Sequence, residues 1–71
     1  MIKNNLLKYR MYYDITQENL SYQLKISVQL IRKIEAKHYY PKYQIRAKIC
    51  KRFNLSYEQM FYMEEENNGR L

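Results

Sequence analysis

Glycine and proline, the residues that most often punctuate a chain, occur once each in these 71 residues, as Gly69 near the end and Pro41 near the middle. No low-complexity linker or internal repeat is visible, and the apolar spacing is helical nearly throughout. Leu6, Leu7, Tyr9, Arg10 and Tyr13 predict a first helix over about 4–13. Thr16 follows as an N-cap whose hydroxyl can accept from an N–H two or three residues on. A second helix over about 17–24 turns Leu20 and Leu24 inward, and Ser27 caps a third over about 28–36 with Ile31 and Ile34 facing the core. Lys37 to Lys42 form a tyrosine-rich loop around Pro41. A fourth helix over about 43–53 carries Ile45, Ile49 and Phe53 at i, i+4 and i+8. Ser56 and Gln59 form a capping box that opens a short fifth helix through Phe61. The expected fold class is all-α, a compact five-helix bundle.

A chain this short buries only about 60% of its unfolded surface. At 46% hydrophobic and 28% charged it nevertheless has the composition of a globular domain rather than a disordered one. No apolar run approaches the roughly 18 residues of a membrane span, and the first residues turn polar before a signal peptide could develop. The expectation is a cytoplasmic protein. One cysteine, Cys50, excludes an internal disulfide, and with His38 as the one histidine there is no ligand set for a structural zinc. The single histidine and seven carboxylates show no catalytic grouping, so a binding module without cofactor or metal is expected rather than an enzyme.

Charge narrows the choice of partner. The formal net charge is +6, and it is unevenly spread: Lys25 to Arg52 hold nine basic residues against Glu35 alone. Glu58 to the end holds four acids against Arg70. A basic middle with an acidic end suits a polyanion, while a merely solvated surface explains a generic basic domain equally well.

Two short helices joined by a tight link, the second capped by Ser27, describe a helix-turn-helix. The stretch Ile15-Thr16-Gln17-Glu18-Asn19-Leu20, followed by Ile26-Ser27-Val28-Gln29-Leu30-Ile31-Arg32-Lys33-Ile34-Glu35, resembles the lambda-repressor-like, Cro-type DNA-binding family. The likeness continues through Tyr39-Tyr40-Pro41, Ile45 and Phe53-Asn54-Leu55-Ser56 to Met60-Phe61, and so covers about residues 3–61. Family members often carry glycine at the positions of Asp14, Lys25, Lys37 and Asn54. A lysine in the left-handed region costs about 1–2 kcal/mol, so Lys25 and Lys37 hold either a different turn or a strained one.

Helical geometry of about 100° per residue puts Ser27, Ile31 and Ile34 on one side of the third helix. Gln29, Lys33, Ala36 and, less squarely, Arg32 project from the other. In a major groove, Gln pairs with adenine and Arg or Lys with guanine, and Val28 could lie against a thymine methyl. The resemblance implies the same base-reading set, Val28, Gln29, Arg32 and Lys33. Gln17 begins the second helix, where free N–H groups attract phosphate, and the resemblance implies that role for it. Lys42 opposes the dipole at the start of the fourth helix, which makes sense beside a phosphate. Ser27, Lys37, His38 and Tyr40 complete the expected phosphate set around the reading helix. The resemblance also implies a salt bridge between Arg10 and Glu35, joining helices one and three.

Met60, Phe61, Tyr62 and Met63 form an apolar run that a small monomer can hardly bury entirely, and such a patch suits a dimer interface. Relatives of this size dimerise through the fifth helix, and some pair short terminal strands, a role open to Met1–Lys3. The expected organisation is a DNA-binding domain over residues 1–63 and a polar acidic tail over 64–71. The function expected is a sequence-specific regulator of double-stranded DNA, a homodimeric repressor on a pseudo-palindromic operator. Two alternatives stay open: an antitoxin of the same fold whose main partner is a toxin, and a nonspecific nucleic-acid-binding protein.

Overall fold

A computed structural model of the protein describes residues 2–64. The chain runs through β1 (Ile2–Asn4), α1 (Leu6–Tyr12), α2 (Gln17–Leu24), α3 (Val28–Lys37), α4 (Tyr43–Phe53), α5 (Tyr57–Met60) and β2 (Phe61–Met63). Each helix from α2 onward starts where its first turn acquires an extended N-cap residue. Thr16 Oγ1 accepts from Asn19 N–H and Ser27 Oγ from Leu30 N–H, both at 3.0 Å. The Ser56–Gln59 box is closed in both directions, at 3.2 and 2.8 Å. These bonds satisfy helix donors that would otherwise be orphaned.

Leu6, Leu20, Leu24, Ile31, Ile34, Ile49, Cys50, Phe53, Met60 and Phe61 pack into one core, with Ile15 at its margin. Desolvation pushes the Cys50 thiol above its ordinary value, so it behaves as a small apolar filler. The core therefore lies between the helices, and the two strands close it at one end. No helix among the described residues is long and apolar enough to cross a membrane.

The terminal strand pair that the family likeness left open is present, while the bounds of the first and fifth helices differ from the sequence expectation. The first helix begins at Leu6 rather than near Asn4, because Asn4 is extended and buried in β1. Its Oδ1 accepts from Leu6 N–H at 3.0 Å, its Nδ2 donates to the Ile34 carbonyl at 3.1 Å, and its backbone N–H donates to His38 Nδ1 at 3.3 Å. β1 pairs antiparallel with β2, in the register Ile2–Met63, Lys3–Tyr62, Asn4–Phe61. The fifth helix stops at Met60, and Phe61 is already extended. This corrects the expected apolar surface patch. Met60 is fully buried and Phe61 nearly so, held edge-on by the Tyr40 ring at 5.7 Å; only Tyr62 and Met63 are exposed. The alternation of a strand separates Phe61 from Tyr62, since pairing Asn4 with Phe61 turns both side chains inward and Tyr62 outward, while Met63 is exposed at the strand's end.

Among the described residues, four non-glycine positions have positive φ: Asp14, Lys25, His38 and Asn54. Lys25 holds the strained left-handed turn, at φ 59°, where a lysine gains nothing locally. Lys37 does not. It is the last residue of α3, and the left-handed position falls one residue later, on His38.

Candidate nucleic-acid interface

The link Lys25-Ile26-Ser27 between α2 and α3 is fixed at both ends. The Lys25 N–H donates back to Ser21, Ile26 N–H donates to the Ser21 carbonyl at 3.2 Å, and Ser21 Oγ donates to the Ile26 carbonyl at 2.6 Å. Ile31 and Ile34 then anchor α3 in the core with no exposure, which fixes which face looks outward. On that face Gln29, Arg32 and Lys33 are exposed, and Val28 is half-buried at the first turn. The Lys33 ammonium sits 4.1 Å from the centroid of the Tyr39 ring, so it is steered by a cation–π contact.

Three helix N-termini carry backbone donors with no intrahelical acceptor. At α2 these are the first N–H groups after Thr16, at α3 those after Ser27, and at α4 those after Lys42. α4 differs from the other two because Lys42 makes no side-chain cap bond. A cation there, beside the positive end of the dipole, is a local conflict that a bound anion would relieve. Ser27 spends its Oγ lone pair on Leu30, leaving its O–H free to donate. Lys37 and Tyr40 are exposed. His38 is half-buried, and because its Nδ1 accepts from Asn4, the neutral ring carries its proton on Nε2.

Behind this face lies a polar network. Arg10 Nε and Nη2 donate to the two oxygens of Glu35 at 2.6 and 2.9 Å, and Nη1 donates to the Ile15 carbonyl at 3.0 Å. The two side chains are only 11% and 6% exposed. The bidentate bond to Glu35 raises the Arg10 guanidinium further above its ordinary value, against the cost of its partial burial. Gln17 extends the network outward: its Nε2 donates to Glu35 Oε1 at 2.9 Å, and its Oε1 accepts from Arg32 Nε at 3.3 Å. The Gln17 side chain is thus occupied inside the protein, and the backbone donors of its turn are what it offers an anion.

Sequence reasoning missed Arg46. It donates Nη1 to the Pro41 carbonyl at 2.7 Å and stacks its guanidinium 4.3 Å from the Tyr40 ring. Tyr40 and Pro41 belong to the loop that joins α3 to α4, so Arg46 fixes the shape of the segment carrying His38, Tyr40 and Lys42. Its one sequence signal is weak, a cation five residues after a proline. Asn4, which ties β1 to the end of α3, was missed for the same reason.

The face so assembled joins an exposed helix to open helix N-termini and several cations. No family model matches the chain. Two uncharacterized HTH-type transcriptional regulators do: YgzD of Bacillus subtilis, 33% identical over 66 residues, covers 93% of this chain and 100% of its own length. MJ0272 of Methanocaldococcus jannaschii is 37% identical over 65 residues, covering 92% of this chain and 98% of its own. Both likenesses span more than nine-tenths of the chain at over 30% identity, and the protein belongs to the HTH-type transcriptional regulators.

Proposed function

We propose that the protein is a regulator of the lambda-repressor-like, Cro-type class that binds double-stranded DNA sequence-specifically. In this reading residues 1–63 are the DNA-binding unit and 64–71 an acidic tail. α3 lies in the major groove, where Gln29, Arg32 and Lys33 read base edges and Val28 meets a thymine methyl. The first turns of α2 and α4, with Ser27, Lys37, His38, Tyr40 and Lys42, hold the phosphates on either side. Two copies related by a two-fold axis set their reading helices one DNA turn apart, about 34–36 Å, and repress by occupying a promoter. Tyr62 and Met63, exposed at the outer end of β2, are the apolar residues offered to the second copy.

The observation that carries this reading is the conjunction at α3. Its outer face is polar, basic and exposed, and it is flanked by helix N-termini whose first N–H groups have no intrahelical acceptor. Selection of bound sites from a random duplex library tests it, followed by titration of the chosen site against scrambled DNA. A two-fold symmetric consensus is expected, bound roughly 10³-fold or more above random sequence. Recovery of unselected sequence would leave a nonspecific binder instead.

A further inference from the structure

The first turn of α2 carries an acid for which the DNA-reading scheme has no use. The Oε2 of Glu18 lies 3.8 Å from Nη2 of Arg32, whose Nε donates to Gln17 Oε1 at 3.3 Å. Gln17 is fixed in turn by Glu35, and Glu35 by Arg10. The Arg32 guanidinium is therefore held against α2 at two points, by a chain that runs back to the buried ion pair. Yet the side chains of Arg32 and Glu18 are 55% and 71% exposed, so neither is locked by packing.

An untethered arginine beside a duplex pairs with whichever phosphate is nearest, and so strengthens binding to every sequence alike. A tethered one must give up its carboxylate to do that. A single phosphate oxygen replaces what is lost without gain, whereas a guanine edge offers two acceptors in the plane of the guanidinium. The carboxylate also stands at the helix end proposed to face a phosphate, where it penalises any complex that does not recover the loss elsewhere. We infer that Glu18 is a specificity-determining residue, holding Arg32 off the phosphates of non-cognate DNA and presenting it to a base edge. The inference rests on the DNA-reading role proposed for α3. The plainer role for Glu18, an acid favourable to the helix dipole, predicts no difference between sequences.

The test compares wild type, Glu18→Gln, Arg32→Ala and the double variant on the selected operator and on a random duplex, across a range of salt. Glu18→Gln should melt as wild type does. It should bind the random duplex about fivefold more tightly at low salt, the scale of one unit-charge contact in a solvated setting. Its log–log salt slope on random DNA should steepen by about one, because a freed Arg32 neutralises one more phosphate. Operator affinity should move less, so the ratio of operator to random affinity falls. In the Arg32→Ala background the same substitution should move both duplexes equally. An equal shift on both duplexes in the wild-type background would overturn the inference, as would a fall in the ratio that survives Arg32→Ala. If wild type itself shows no preference among duplexes, the DNA-reading proposal fails and this inference fails with it.

Discussion

The protein is held together by two buried polar hubs of different kinds. Glu35, at the side where α1, α2 and α3 meet, is a charge answered by Arg10 and Gln17. Asn4, at the end closed by the two strands, is a neutral amide answered by the Ile34 carbonyl and the Leu6 N–H. The ionic hub opens toward the surface through Gln17 and Arg32, whereas the amide hub is roofed by apolar Met60 and Phe61. The contrast separates a site that transmits from one that only fastens. A charge in the interior is tolerated while every partner is in place and becomes expensive when one is removed. A neutral amide loses only its own bonds.

The largest expected effect is therefore at Glu35. Glu35→Ala should destabilise by about 3–5 kcal/mol in chemical denaturation, because it strands the Arg10 guanidinium. Adding Arg10→Met should return part of that loss, and strict additivity would show that the two hubs are not different in kind. At the other hub Met60→Ala should cost about 2–5 kcal/mol by opening a cavity, whereas charged residues at Tyr62 and Met63 should cost under about 1. The latter pair should change sedimentation rather than melting. Asn4→Ala should cost about 1–3 kcal/mol, for the orphaned Leu6 N–H and Ile34 carbonyl.

Smaller effects come from the turns and from the thiol. Lys25→Gly should stabilise by about 1 kcal/mol, since glycine adopts its left-handed geometry freely, while Lys37→Gly should destabilise by a similar amount inside the last turn of α3. Thermal melts of the two variants would separate a strained lysine from a helical one. Cys50, whose thiol is raised by burial, should contribute its full stability below about pH 8.5, where an unfolded thiol is still protonated. That contribution should fade as pH rises through the higher folded value, and Cys50→Ala should remove this part of the alkaline loss. Arg10 is raised as well, so its contribution is complete at any pH below the ordinary guanidinium range and adds no slope near neutrality.

The two hubs were unequally legible. On the α2–α3 side the signals are local: Thr16 and Ser27 each bond within three residues, and the boundaries of α2 follow from spacing and caps alone. The meeting of Arg10 with Glu35 came from family likeness, since nothing in local spacing brings together residues on different helices. At the closing end, the register of Asn4 on Phe61 joins residues with five helices between them, and no local signal sets it. A run such as Met60 to Met63 reads as one exposed patch until the fold buries Met60 and Phe61 and leaves Tyr62 and Met63 outside. The left-handed position expected at Lys37 fell on His38 because α3 runs one residue further than its apolar spacing required.

The pairing of β1 with β2 has a consequence for how the protein is made. Ile2–Asn4 are made before Phe61–Met63 and must wait for them, an interval of several seconds at ordinary translation rates of about 5–20 residues per second. Throughout that interval the Asn4 amide and the core face around Ile34 lack their lid. A nascent chain stopped before residue 61 would carry the whole helix-turn-helix with its floor open. The lid over the Asn4 amide is thus built from segments nearly sixty residues apart, and it can close only after both have been made.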